Sequence, residues 1–411
     1  MYSRLNKTWV IILVLVLILA SSFTFIVVGG RNREDPGRVM RKIERRYGEE
    51  GNFYIDNDCE FHISDGVLYA AAKNVEKGYG VPGYVFALDL ESDEIIWNHS
   101  HHGPPKRSVR ILSIFVSNGT VYSGDVHGNV IASDAETGEK LWGNSLHEGD
   151  YTTRINSLYV YDGMVFTASG NKTVAATDGE TGEKIWMHRY HDQSVFSVHA
   201  KDKTVYSASG DGNVTAVSAK NGERIWTHQL HDSGVHSLYV QDGVVYSGDR
   251  NGKLIAYNPE KEEKIWAHTY HGGIPSHDDS ILSIHVDNRV VYSGSSDVTV
   301  VAASSENGEK LWRHRYHDAN YGFSFEGVSS IQSVDGELYS LHNAGYLISV
   351  EKEGSLTLGV LRVLTSFWLI IEQNYGWIIL FIVLVGAGIG LIIGKTGGWT
   401  KSISEERKGF N

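Results

Sequence analysis

Short runs of alternating apolar and polar positions fill the middle of the chain, and they recur in units of about forty residues. In residues 195–231, VFSVHAKDKTVYSASGDGNVTAVSAKNGERIWTHQLH, Val195, Ser197 and His199 alternate with Phe196, Val198 and Ala200, the period of a strand. Residues 235–271 repeat the pattern. The breaks fall at Asp211-Gly212, Asn221-Gly222 and Asp242-Gly243, dipeptides that tolerate the positive φ of tight hairpin turns. Each unit therefore reads as four short strands.

Six units close on a tryptophan: Trp97, Trp142, Trp186, Trp226, Trp266 and Trp312. Small four-stranded sheets at this period bury their faces only against one another, and this predicts an all-β β-propeller over residues 51–350. A seventh unit, residues 328–350, has three strand-like stretches and no tryptophan strand. Seven blades are expected, with eight as the alternative. The strand-like Asn52-Phe53-Tyr54-Ile55 is expected to complete the last blade from the other end of the chain.

Two longer apolar runs flank this body. Residues 9–28, WVIILVLVLILASSFTFIVV, match the roughly 20 residues that span a bilayer and read as a transmembrane helix, a signal anchor or a signal sequence. Residues 376–394, bounded by Trp377, Lys395 and Trp399, read as a second transmembrane helix. Residues 355–375 form an apolar linker or membrane hairpin segment carrying Arg362. Gly386, Gly390 and Gly394 recur at four-residue spacing, which suits helix–helix association. Residues 1–8 and 395–411 are tails, and 29–50 is a basic linker. The bilayer is thus an expected partner.

Two stretches carry a family resemblance. Ala132-Ser133-Asp134-Ala135-Glu136-Thr137-Gly138-Glu139-Lys140-Leu141-Trp142 and its counterpart from Ala176 to Trp186 resemble the repeat of pyrroloquinoline-quinone (PQQ) type, quinoprotein-like propellers. In that family the tryptophan packs between adjacent blades, a role the resemblance gives to the six tryptophans above. The other half of each unit, as in His191, Val195, Ser197, Tyr206, Ser207, Ser209, Asp211 and Gly212, resembles a WD40 unit. That likeness implies that the histidine opening each unit hydrogen-bonds to a Ser or Asp.

Charge narrows the partners. Residues 51–350 hold 22 Lys and Arg against 39 Asp and Glu, whereas the remainder holds 15 against 10. An acidic body repels phosphate backbones, so nucleic acid is not expected. The sequons at Asn98, Asn118, Asn171 and Asn213, and basic residues in both tails, favour an integral membrane protein with its propeller outside the cytoplasm; the basic residues between Arg31 and Arg46 pull the other way.

Histidine is a common metal ligand, which makes His188, His191, His228 and His231 candidates. Residues three apart on a strand face opposite ways, so a structural role is preferred and no metal is expected. The resemblance also raises a quinoprotein-like oxidoreductase, or a ligand sensor, using the propeller axis. The family's catalytic members use paired cysteines, and Cys59 is the single cysteine here. No catalytic residue and no cofactor are expected. The expected function is a membrane-tethered scaffold that binds a protein at one loop rim, with His101, His102, Lys106 and Arg107 as candidate contacts.

Overall fold

A computed structural model describes residues 39–43, 46–47, 53–55, 59–74, 83–102, 109–147, 152–272, 279–315, 327–342 and 346–351. They belong to the first of two compact units, Met1–Lys352; the second is Glu353–Asn411. Among the described residues no helix is long and apolar enough to cross a membrane. The apolar segments 9–28, 355–375 and 376–394, with Gly386, Gly390 and Gly394, lie outside the described residues.

Among the described residues seven antiparallel sheets are present, one for each expected blade. Blade 4 is representative, with strands Val195–Lys201, Thr204–Ser209, Asn213–Ser218 and Arg224–Gln229 paired in chain order. The first strand of each unit contacts the first strands of the blades on either side, so these are the inner strands around the axis. The tryptophan strand is outermost. Buried aliphatic residues of the two central strands, such as Val205, Val214 and Val217, pack between the sheets.

Turn chemistry follows the dipeptides selectively. At Asp242-Gly243 both residues have positive φ, 50° and 74°, as a type I′ turn needs. At Asp211-Gly212 and Asn221-Gly222 only the glycine does. A bulge recurs where the third strand meets the tryptophan strand, between Ala216 and Val217 in blade 4.

The ring closes from the N-terminal side, but not with the expected strand. Val39–Ile43 pairs with Tyr346–Glu351, Val39 opposite Val350 and Ile43 opposite Leu347, and supplies the missing outer strand of blade 7. Phe53–Ile55 instead pairs with Val67–Asn74 in blade 1. There it shares the inner edge with His62–Ser64, which pairs with Val67, Leu68 and Tyr69 of the same strand. The reason is vacancy: the vacant place in blade 7 is at the outer edge, whereas blade 1 has inner edge left to fill beyond its three-residue inner strand.

Candidate functional site

The seams between blades come first, because the tryptophans define them. Trp97, Trp186, Trp266 and Trp312 are buried, and Trp142 and Trp226 are half-buried. The indole nitrogens of Trp97, Trp142, Trp186 and Trp266 donate to the carbonyls of Ala135, Gly179, Ala219 and Ser305 in the next blade, at 2.8–3.0 Å. This explains the Asp-x-x-Thr-Gly spacing. Asp134 Oδ1 accepts from the Glu136 and Thr137 amides and the Thr137 hydroxyl, folding a turn that ends at Gly138. These hydrogen bonds, those from Thr137 first, hold the exposed Asp134 carboxyl below its ordinary range.

Glycine stands at four of the five places where that turn meets the preceding tryptophan, Gly138, Gly182, Gly222 and Gly308, and Glu262, with φ 53°, takes the fifth. Gly222 has φ 71°, and a Cβ there would lie 2.6 Å from the His188 ring and 2.9 Å from that of Trp186. Above the tryptophan a second polar side chain reaches four of these turns. Asn144 donates to the Gly182 carbonyl at 2.6 Å, Tyr190 and Tyr270 donate to those of Gly222 and Gly308, and His101 Nε2 lies 3.0 Å from that of Gly138. Burial, the main cause, pushes the Tyr190 and Tyr270 phenols up to about 12.

The repeated histidines serve two separate structures. His188 and His228 pack on Trp186 and Trp226. His191 and His231 are buried in the next blade: His191 Nε2 is 2.9 Å from the Ser207 hydroxyl and its Nδ1 3.5 Å from Asp211, while His231 lies 2.8 Å from Ser247 and 3.1 Å from Asp249. His271 repeats this with Ser293, Asp297 and Thr299. Burial would raise the carboxyls of Asp125, Asp211, Asp249 and Asp297, yet hydrogen bonds, with the histidine's first, hold all four low. His147 differs, since threonine hydroxyls replace the carboxylate: Thr173 and Thr167 each lie 2.8 Å away, and burial keeps the imidazole down at about 4. Among the described residues no three His, Cys, Asp or Glu side chains gather as a metal site would require.

The expected partner loop is divided. His102 belongs to the buried histidine set, 3.0 Å from Asp125 and 2.8 Å from Ser123. His101 is half-buried and packs at a tilt against His99, with ring centroids 3.7 Å apart. Lys106 and Arg107 lie outside the described residues. Cys59 is buried, its thiol directed at the Ala71 carbonyl.

The sequence reading missed an aromatic belt about the axis. His62, Phe115, Tyr159, His199, Tyr239 and His285, one from each inner strand of blades 1 to 6, contact in order with ring centroids 4.0–5.1 Å apart. Gln332 from blade 7 closes the circle through both the amide and the carbonyl of Ile63. His199 is buried between two tyrosines with neither ring nitrogen hydrogen-bonded, and burial takes its pKa down to about 3. Its signal in the sequence was a bulky residue at the fifth position of the inner strand in blades 2 to 6.

A groove of about 490 Å³ lies at the seam of blades 3 and 4. His188, Arg189 and Tyr190 line one side and Asn221, Gly222, Glu223 and Arg224 the other.

Fold and seams together define a seven-bladed propeller with tryptophan-docked blades. The model of the PQQ-like repeat family described as "Outer membrane protein assembly factor BamB" matches residues 82–234 and 210–358, and the chain belongs to that family. No curated protein sequence matches it. Solved structures that are similar include the computationally designed Ika8 protein, at TM-score 0.54 and 19% identity over 71% of this chain and 82% of that one. A chain of a mitotic checkpoint complex is similar at TM-score 0.61 and 13% identity, covering 78% of this chain and 94% of its own. At these identities the likeness extends to the fold alone.

Proposed function

We propose that the chain is a membrane-tethered, non-catalytic scaffold whose propeller, held outside the cytoplasm, binds protein partners. The family match carries the reading, because the family's description names an assembly factor. The geometry supports it. The histidines repeated at the blade openings are spent on holding connections to blades, and the axis is lined by mutually packed rings rather than by converging ligands. The apolar segments at 9–28 and 376–394 support tethering, and the sequons support the outer location. Tethering raises effective concentration for membrane neighbours, so modest intrinsic affinity suffices. Crosslinking of the full chain in native membranes, followed by identification of captured proteins, is the test. Reproducible capture of a defined set is expected. A chain that captures nothing, or that reduces a dye in the presence of pyrroloquinoline quinone, calcium and an alcohol or sugar, would overturn the proposal.

A further inference from the structure

The repeat builds the same seam five times among the described blades, so differences between seams reveal specialisation. Two positions flank each one: the third residue after a tryptophan, and the second residue before the next. The pairs are Ser100 with Lys140, Ser145 with Lys184, Arg189 with Arg224, Gln229 with Lys264, and Thr269 with Lys310. Four of these five seams hold one lysine opposite a neutral residue. The seam of blades 3 and 4 alone sets two guanidinium groups across from each other, and it is the one that carries the 490 Å³ groove.

Both arginines are exposed, and neither guanidinium is hydrogen-bonded or ion-paired with another described residue. By contrast Lys264, the counterpart of Arg224 at the next seam, spends its ammonium on the Leu230 carbonyl at 2.9 Å. Glu223 is the only carboxylate in the lining. Gly222 brings no side chain to the lining, and the Tyr190 hydroxyl is already committed to its carbonyl. Two planar five-donor forks facing this groove match the geometry of carboxylates, which accept bidentate pairs. The acidic residues of the surrounding body repel an anionic segment over the rest of the surface, so the attraction that docks it here comes from these two arginines.

We infer that the groove between blades 3 and 4 docks an acidic segment of a partner protein, its Asp or Glu carboxylates paired with Arg189 and Arg224. This rests on the scaffold reading and supplies the chemistry of its partner. The probe is a ten-residue peptide rich in Asp and Glu, blocked at both ends, with its Asn/Gln counterpart as control, titrated against the full chain by fluorescence anisotropy. The variant Arg189→Gln/Arg224→Lys gives this seam the residues of the next one, and because both side chains are exposed its thermal midpoint should equal that of the wild type. The acidic peptide should bind the wild type, weaken with added salt, and bind the variant about tenfold or more weakly. Equal binding to both proteins, or no preference over the neutral peptide, would overturn the groove. A matched phosphopeptide that binds more than tenfold tighter than the acidic one would overturn the carboxylate assignment. Membrane crosslinking of the variant separates the two proposals: unchanged capture rejects the groove and leaves the scaffold, whereas no capture by either protein rejects the scaffold itself.

Discussion

Acidification below pH 6.5 should weaken this propeller, and His147 shows why. Its imidazole is buried between the hydroxyls of Thr167 and Thr173, with no carboxylate to stabilise a charge. Burial is the main cause that lowers its pKa from 6.5 to about 4, and the nearby Lys184 adds to it. The native state therefore binds fewer protons than the unfolded chain between these two values. Its stabilisation is full above pH 6.5 and is lost as pH falls toward 4. Integrating that difference gives a loss of about 2 kcal/mol between pH 7 and pH 5 for this one residue. His147→Gln retains an amide able to meet both hydroxyls but does not titrate. Urea unfolding of the two full-length proteins at pH 7, 6 and 5 is the assay. The variant should be weaker at pH 7 by about 1–3 kcal/mol, the cost of imperfectly replaced buried hydrogen bonds. That gap should shrink by about 2 kcal/mol at pH 5. His62, His99 and His199, also held low by burial, are common to both proteins and cancel. A gap that is the same at every pH would refute the reasoning.

Two further outcomes are expected. Removing residues up to Ile43, and with them the outer strand of blade 7, should lower the thermal midpoint by several degrees relative to a chain that begins just before Val39, because the Tyr346–Glu351 edge is left unpaired; equal midpoints would reject closure by this strand. His199→Phe should raise stability by about 1 kcal/mol in urea unfolding, since it removes two buried nitrogens without hydrogen bonds while keeping a ring between Tyr159 and Tyr239. A loss of stability instead would mean that those nitrogens are hydrated.

The repeat made the propeller legible, because tryptophans at fixed spacing and Asp-x-x-Thr-Gly turns report physical requirements that each blade must meet again. The histidine pairing with Ser207 and Asp211 was readable for the same reason. What was not legible depended on relations between blades. Val39–Ile43 reads as part of the basic linker, since Arg41 and Lys42 interrupt any alternation, and nothing local says which edge the strand-like Phe53–Ile55 will occupy. His102 looked like a loop residue because it sits beside Gly103, Pro104 and Pro105, yet its place five residues after Trp97 is that of His147 and His191. The arginine groove needed two residues 35 positions apart to be brought to one seam.

Closure by Val39–Ile43 also sets a clock on synthesis. This strand is among the first parts of the propeller to leave the ribosome, and its partner at Tyr346–Glu351 is the last, about 310 residues later. At 5–20 residues per second that interval is roughly 15–60 s. Blades 2 to 6 each contain four consecutive strands and can form in the order they are made, whereas the seventh waits for both ends of the chain. The ring therefore exists as an open arc for most of its synthesis, and the final step of its folding is the meeting of its oldest and youngest strands.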